Sequence, residues 1–323
     1  MKNYENELIV SMSPHIISRP SISHVMGYVI LALIPSLIAG IVVFGGRALL
    51  LAFVCVASCV ISEYLWNKLL KKQNTISDLS AVVTGLLLAL NVPVTLPFYM
   101  AIIGSFFAII IVKQFFGGLG HNFMNPALAA RAFLLASWGG AMTTFVEPGE
   151  AIHLFSNADV LTSATPLALL KEGSADLPSV WQMFIGNIGG SMGETSALAI
   201  LIGAAFLVYK KVISLHTPLS FLLTLFVLGI IGGDNGLFHI LSGGVMLGAF
   251  FMATDYTTTP TTKKGQIIFG IGAGLITFVI RKWGGYPEGV TYAILLMNVV
   301  TPLIDKYIKP SVFGKVKEVR ANE

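Results

Sequence analysis

Thr165 carries the hydroxyl best placed for chemistry in this chain. The polar island Asp159-Val160-Leu161-Thr162-Ser163-Ala164-Thr165 ends on it, one residue before Pro166, between apolar flanks at Gly139 to Phe145 and Ala197 to Val208. A threonine before a proline is a good helix N-cap, because its side-chain oxygen satisfies a free N–H and proline suits the first helical position. Pro166 to Lys171 is then a short helix, closed by Gly173. The same geometry offers N–H groups and a positive helix end to an anion. A phosphoryl group esterified to Thr165 is therefore the second reading. On local grammar alone the cap is the stronger of the two.

Other residues carry weaker signals. Gly190, Ser191 and Gly193 would let backbone approach a flat ring or a phosphate, with Thr195 or Ser196 capping the helix that follows. A tight loop plus a cap explains each of them equally well. His121-Asn122 and Asn125-Pro126 flank a helix start. They could hold a ring edge, although a cap is the better reading of Asn125. Glu63 and Arg131 lie inside apolar runs, where ionisable groups are costly and need partners. Arg131 is expected to pair with a carboxylate or with backbone carbonyls, and Glu63 to snorkel to the inner face. Asp78 and Asp255 sit at span ends as possible ion-path groups, although Asp78 also suits a cap, and Asp305 follows the last span. Cys55 and Cys59 share a helical face with no histidine or carboxylate joining them within the run, so buried small-residue packing is the better reading than a metal site.

The elements that position these residues are membrane spans. The chain has 323 residues, 55% of them hydrophobic and 11% charged, with mean hydropathy +0.80. A soluble domain carries about a quarter charged residues. The composition thus excludes a soluble enzyme, and the net charge of +4 is spread over loops in a topological rather than a nucleic-acid-binding pattern. A crossing takes about 20 apolar residues. Spans are predicted at His24–Phe44, Arg47–Leu69, Leu79–Val92, Leu96–Phe115 and Asn125–Phe145, then at Ser196–Val212, Pro218–Gly233, Leu237–Thr254, Gln266–Arg281 and Val290–Ile304. A cytoplasmic N-terminus places Lys68, Lys71, Lys72, Lys113, Lys210, Lys211, Lys263, Lys264 and the basic tail inside. Arg281-Lys282 is the main exception. Both termini are then cytoplasmic, and the stretch from Val146 to Glu194 faces outside. No cleavable signal is expected at Met1 to Pro20.

The two halves repeat weakly. Gly85-Leu86-Leu87-Leu88-Ala89-Leu90-Asn91 with Pro97 corresponds to Gly248-Ala249-Phe250-Phe251-Met252-Ala253-Thr254 with Pro260, and Phe116-Gly117-Gly118 to Trp283-Gly284-Gly285. Five spans per copy invert the second copy, and short interrupted spans at matching positions tend to meet near the midplane. The expected architecture is an all-α polytopic membrane protein with about ten transmembrane helices in two inverted five-helix repeats. It divides into a first repeat at 1–145, a loop at 146–195, a second repeat at 196–305 and a basic tail at 306–323.

Several segments together resemble one family. Asp159-x-x-Thr162-Ser163-Ala164-Thr165 resembles the flavinylation motif Asp-x-x-(Ser/Thr)-Gly-Ala-Thr, with Ser163 in place of the usual glycine. Ser13-Pro14-His15-Ile16, Thr84-Gly85-Leu86-Leu87-Leu88-Ala89-Leu90 and Gly120-His121-Asn122-x-x-Asn125-Pro126-Ala127 are similar to further family segments. So are Gly186-Asn187-x-x-Gly190-Ser191-x-Gly193-Glu194-Thr195-Ser196, Ala253-Thr254-Asp255-Tyr256-Thr257-Thr258-x-Pro260 and Pro287-Glu288-Gly289. The family is that of the RnfD and NqrB membrane subunits, and the lack of a long N-terminal extension favours the RnfD branch.

The resemblance implies a urea-transporter-like fold in a bacterial inner membrane. It implies FMN joined to Thr165 by a phosphoester, attached by a separate flavin transferase, and a non-covalent riboflavin. It implies an electron-carrier role in an ion-pumping ferredoxin:NAD oxidoreductase that moves Na⁺ or H⁺, beside the A, B, C, E and G members of the Rnf complex. The candidate cofactor contacts are Thr162, Ser163, Ala164, Thr165, Gly190, Ser191, Glu194, Thr195, His121, Asn122 and Arg131. Thr165 is an anchor, not an acid, base or nucleophile in turnover. The chain has no glycine-rich dinucleotide loop and no cysteine cluster for an iron–sulfur centre, so ferredoxin and NAD would bind elsewhere. The competing readings are a member of the sodium-pumping NADH:quinone reductase and a urea- or ammonium-type permease.

Overall fold

The computed structural model describes residues 21–148, 162–174, 177–286 and 288–309. The segment Ser13 to Ile16, Asp159, Pro287 and the tail beyond Lys309 lie outside the described residues.

Helices dominate because the chain is apolar over long runs. Helices α1 (Ile22–Phe44), α2 (Gly46–Leu69) and α13 (Lys263–Trp283) are long and apolar enough to cross a membrane. At 1.5 Å per residue their 23, 24 and 21 residues exceed a hydrocarbon core of about 30 Å. Shorter apolar helices complete the bundle: α3 (Ser80–Leu90), α4 (Phe98–Phe106), α5 (Pro126–Ser137), α9 (Ala197–Tyr209) and α10 (His216–Ile231). A helix of mixed character, α14 (Val290–Tyr307), closes the described chain. Val42, Phe53, Leu223 and Val299 are among many large apolar side chains facing outward. A water-facing surface would not carry them so densely, whereas a lipid-facing one does.

The inner faces hold small residues that let backbones approach. A Cβ built on Gly270 of α13 would lie 1.9 Å from the Ser220 Oγ of α10, so that helix pair tolerates only glycine there.

Predicted and observed spans agree within three residues at each end except where the fifth is cut short and the fourth and eighth turn irregular. The fourth continues from α4 into a π-helical segment, Phe107–Gln114. The fifth, predicted to Phe145, ends at Ser137, followed by the short α6 (Gly139–Met142). The seventh, predicted from Pro218 to Gly233, runs from His216 to Ile231. The eighth is broken into α11 (Gly236–Leu241), α12 (Val245–Leu247) and a π-helical segment, Gly248–Met252. Gly243 causes that break, since its φ of 65° lies in the left-handed region that favours glycine.

Three charges assigned to loops are buried instead. Lys113 is 2% exposed and bonded to Glu63. Arg47 donates to the carbonyls of Val94 and Thr95. Arg281 donates to the carbonyls of His239 and Ser242. Glu63 does not snorkel: it is fully buried, held by Lys113 Nζ at 2.9 Å and by the Thr75 hydroxyl. The Lys113 and Arg281 charges are thus matched by side-chain or backbone oxygens rather than by water.

Candidate functional site

Thr165 is the N-cap of α7 (Pro166–Glu172), accepting a bond from the Ala168 N–H at 3.3 Å, with Pro166 at the first position. Gly173 closes the helix in the left-handed conformation. Thr165 is 6% exposed. The preceding strand β2 (Thr162–Ser163) pairs antiparallel with β1 (Phe145–Val146), which fixes the register of the island against the end of the fifth span. A groove of about 360 Å³ opens beside it, lined among others by Ser163, Ala164, Pro166, Leu169, Gln182 and Asn187. Leu177, Pro178 and Ile188 add apolar wall. The second side of this loop is α8 (Val180–Ile185), started by a capping box between Ser179 and Gln182.

The loop from Gly186 to Ser196 runs back into the core. Gly193 donates its N–H to the Leu90 carbonyl at 2.7 Å, and a Cβ there would lie 2.7 Å from Leu90 Cβ. Its glycine therefore lets this loop dock on the end of α3. Ser196 caps α9 through the Ala199 N–H. Gly190, Ser191, Glu194 and Thr195 are all buried in this loop.

Glu194 belongs to a buried charge cluster. Arg131 Nη1 donates to Glu194 Oε1 at 3.0 Å and to Asn91 Oδ1 at 3.1 Å, and its Nη2 donates to Glu288. Arg131 thus pairs with carboxylates, as its apolar surroundings suggested. Burial pushes the Glu194 carboxyl up, and its Glu288 neighbour pushes it further, to about 8 against the pull of Arg131. Burial also acts to raise Glu288, but Arg131, the Glu194 carboxyl and Arg281 outweigh it and hold Glu288 down. One proton on Glu194 and a charged Glu288 is the arrangement that follows. Sequence reasoning missed Glu288, Asn91 and Arg281 as parts of this cluster. The available signal was Glu288 itself, an acid between the apolar runs of α13 and α14.

The remaining sequence-predicted residues are not in this cluster. His121 is exposed, whereas Asn122 is buried and donates to the Met124 carbonyl. Asn125 caps α5 through the N–H groups of Ala127 and Leu128. Asp78 accepts from the Ser80 N–H at 2.8 Å at the start of α3. Asp255 accepts from the hydroxyls of Thr257 and Thr258. Asn122, Asn125 and Asp255 meet at a second cavity with Lys113, Phe250 and Phe251. Cys55 and Cys59 are buried free thiols, and no group that could hold a metal ion occurs among the described residues.

Residues 9–314 match the family model described as the NQR2, RnfD, RnfE family. The chain belongs to this family. It is 52% identical to the D subunit of the Na⁺-translocating ferredoxin:NAD⁺ oxidoreductase complex of Acetobacterium woodii, over 97% of this chain and 97% of that one. It is 44% identical to the D subunit of the proton-translocating ferredoxin:NAD⁺ oxidoreductase complex of Clostridium ljungdahlii, over 96% and 97%. The D subunit of an ion-translocating oxidoreductase complex of Escherichia coli is 36% identical over 95% and 99%. Membership of the NQR2, RnfD, RnfE family makes the loop that carries Thr165 and the Arg131 cluster the parts to explain.

Proposed function

We propose that this chain is the D subunit of an ion-translocating ferredoxin:NAD oxidoreductase, and that it carries electrons on FMN esterified to Thr165. The observation that carries the reading is the match, over nearly the full length of both chains, to D-subunit proteins of such complexes. The residues fit the group. The Thr165 hydroxyl has a fixed direction because it caps α7, and the adjacent groove offers apolar wall with the Gln182 and Asn187 amides. When bound, FMN would supply one- and two-electron chemistry. The protein's part is to hold the anchor, wall off water and place charge nearby. Thr165 fixes the point of attachment. Leu169, Leu177 and Ile188 line the groove, and Gln182 and Asn187 can bond to ring polar atoms.

A non-covalent riboflavin belongs in the second cavity, where Phe250 and Phe251 offer apolar faces and Asn122 and Asp255 offer polar contacts. The complex would include the A, B, C, E and G members, a flavin transferase would mature it, and it would sit in a bacterial inner membrane. Both termini would be cytoplasmic, with the Thr165 loop outside. Burial of Arg47 and Arg281 supports that orientation, since it takes two positive charges out of the outside loops. Two inverted five-helix repeats at 1–145 and 196–305, urea-transporter-like, are favoured by the two short buried segments Ser80–Leu90 and Val245–Met252. Their ends meet where Asn91 Nδ2 lies 3.5 Å from Met252 Sδ.

The test is direct. Expressed with a flavin transferase, the denatured band should fluoresce, and Thr165→Val should abolish the fluorescence. A dark wild-type band beside a competent transferase would sink the covalent assignment. Flavin released by denaturing the Thr165→Val complex would be riboflavin, and Asn122→Leu should deplete it.

A further inference from the structure

Glu194 and Glu288 meet on one guanidinium, that of Arg131, while the second cation of the cluster, Arg281, is turned to backbone carbonyls. Each gives one oxygen to Arg131. The other oxygens, Glu194 Oε2 and Glu288 Oε1, are buried and receive no N–H or hydroxyl bond. Held on the same guanidinium, the two carboxyl groups are close enough for each to shift the other's proton affinity. An ionised carboxylate only accepts, so two such groups can bond to each other only when one of them holds a proton. The Ser191 hydroxyl, fully buried in the same loop, is also without a partner.

The groups around the pair are few. Arg131 comes from α5. Arg281 of α13 directs its guanidinium to the carbonyls of His239 and Ser242, not to a carboxylate. His239 of α11 bonds Asp234, and Tyr292 of α14 lies within electrostatic range of Arg131.

The pair also touches the Thr165 loop from both sides. Gly189 abuts the Ser163 hydroxyl, with a built Cβ at 2.9 Å, and its neighbour Gly190 abuts Glu194 Oε2 at 3.9 Å. Beyond Thr165, a Cβ built on Gly243 would lie 2.8 Å from Leu167 Cδ1 and 3.5 Å from Glu288 Oε1, so this glycine sits between the two. Gly189 and Gly190 on one side, and Gly243 on the other, separate the anchor loop from the carboxyl pair.

We propose that Glu194 and Glu288 share one proton and form the proton-exchange site of the Thr165 loop, binding a second proton when an electron reaches the flavin held there. The second half of this statement rests on the proposed flavin at Thr165. The step balances simply. If one electron from a one-electron donor reached the flavin, one proton would pass from hydronium in the outside water to the charged carboxylate, one hydronium O–H bond breaking as one carboxyl O–H bond forms, so the local charge would be unchanged. In a site of low dielectric an uncompensated charge is costly, and the nearest group able to bind a proton offsets it.

The experiment uses the purified complex, dithionite as donor, and infrared difference spectroscopy of the carboxylic-acid C=O band, with gel fluorescence reporting flavin content. Reduction of wild type should produce a carboxylic-acid band that shifts in D₂O. Glu194→Gln and Glu288→Gln should lose it while keeping fluorescence, and the flavin midpoint potential should lose most of its pH dependence in both. An unchanged band and an unchanged pH dependence in both variants would overturn the proton-exchange site. The shared proton is read separately in the flavin-free Thr165→Val complex without any donor. There a carboxylic-acid band should fade as pH rises through about 8. Its absence at pH 6 would overturn the shared proton even where the glutamine variants fail to assemble. Fluorescence lost in wild type, with this titration intact, would remove the flavin reading alone.

Discussion

Two buried charge clusters divide the chemistry of this molecule between them. Lys113 and Glu63 form a one-to-one pair, and both oxygens of the acid are satisfied, one by the lysine and one by Thr75. The Lys113 ammonium also donates to the Ser80 hydroxyl at 2.6 Å, which ties α2, the π-helical segment and the start of α3 together. The Arg131 cluster has two acids on one guanidinium and leaves an oxygen of each without an N–H or hydroxyl donor. A balanced, satisfied pair has nothing left to bind and acts as a staple. Two neighbouring acids, each with an open oxygen, keep capacity for a proton.

The difference predicts opposite responses to the same substitution. Glu63→Gln leaves the Lys113 charge buried without a counter-ion, and removing one member of such a pair costs about 3–5 kcal/mol. The complex should lose most of this chain on purification or melt much earlier, and a melting temperature within a degree of wild type would break the contrast. Replacing both members, with Glu63→Leu and Lys113→Met, should recover most of that loss.

A smaller effect follows at the other cluster. Glu194→Gln mimics a carboxyl group already holding a proton, so it should cost about 1 kcal/mol, the scale of one altered hydrogen bond. A loss as large as that of Glu63→Gln would mean that Glu194 is normally charged.

The pH dependence sharpens the same point. Glu194 is raised from 4.5 to about 8 by burial and by Glu288, so the folded state binds a proton that the unfolded chain has already released. Its stabilising contribution is full below the ordinary carboxyl value, falls as pH rises from there to about 8, and is flat above. Thermal melts across pH 5–9 should show this slope in wild type and a shallower one in Glu194→Gln.

The smallest expected effect is at Ser163→Gly, which restores the usual motif residue. Stability should move by less than about 0.5 kcal/mol. Gel fluorescence should be unchanged, and a clear gain would show that the serine hinders flavin attachment.

Much of this was legible in the chain. Thr165, Pro166 and Gly173 predict α7 with its cap and its closure because each acts through local backbone geometry. Asn125 and Ser196 are legible as caps for the same reason. Arg131 announces a carboxylate partner, but not which one, because Glu288 lies 157 residues away in sequence and only packing brings it close. Lys113 and Arg281 mislead a count of loop charges. Their long side chains reach buried acceptors, and position in the sequence does not reveal that. The eighth span reads as one apolar run, yet Ser242-Gly243-Gly244 breaks it through a backbone conformation that hydropathy does not encode.

The π-helical segment Phe107–Gln114 has a bearing on how this bundle tolerates length changes. A wider turn holds one residue more than an α-turn, so it acts as a phase adjuster within a straight rod. Were the same eight residues wound as ordinary α-helix, the extra residue would no longer be absorbed. Every side chain beyond it would then rotate by about 100° relative to the residues before it. Lys113 would swing away from Glu63, and the start of α3 would lose its tether at Ser80. The irregular turn thus works as a vernier, setting one buried lysine in angular register with an acid 50 positions earlier in the chain.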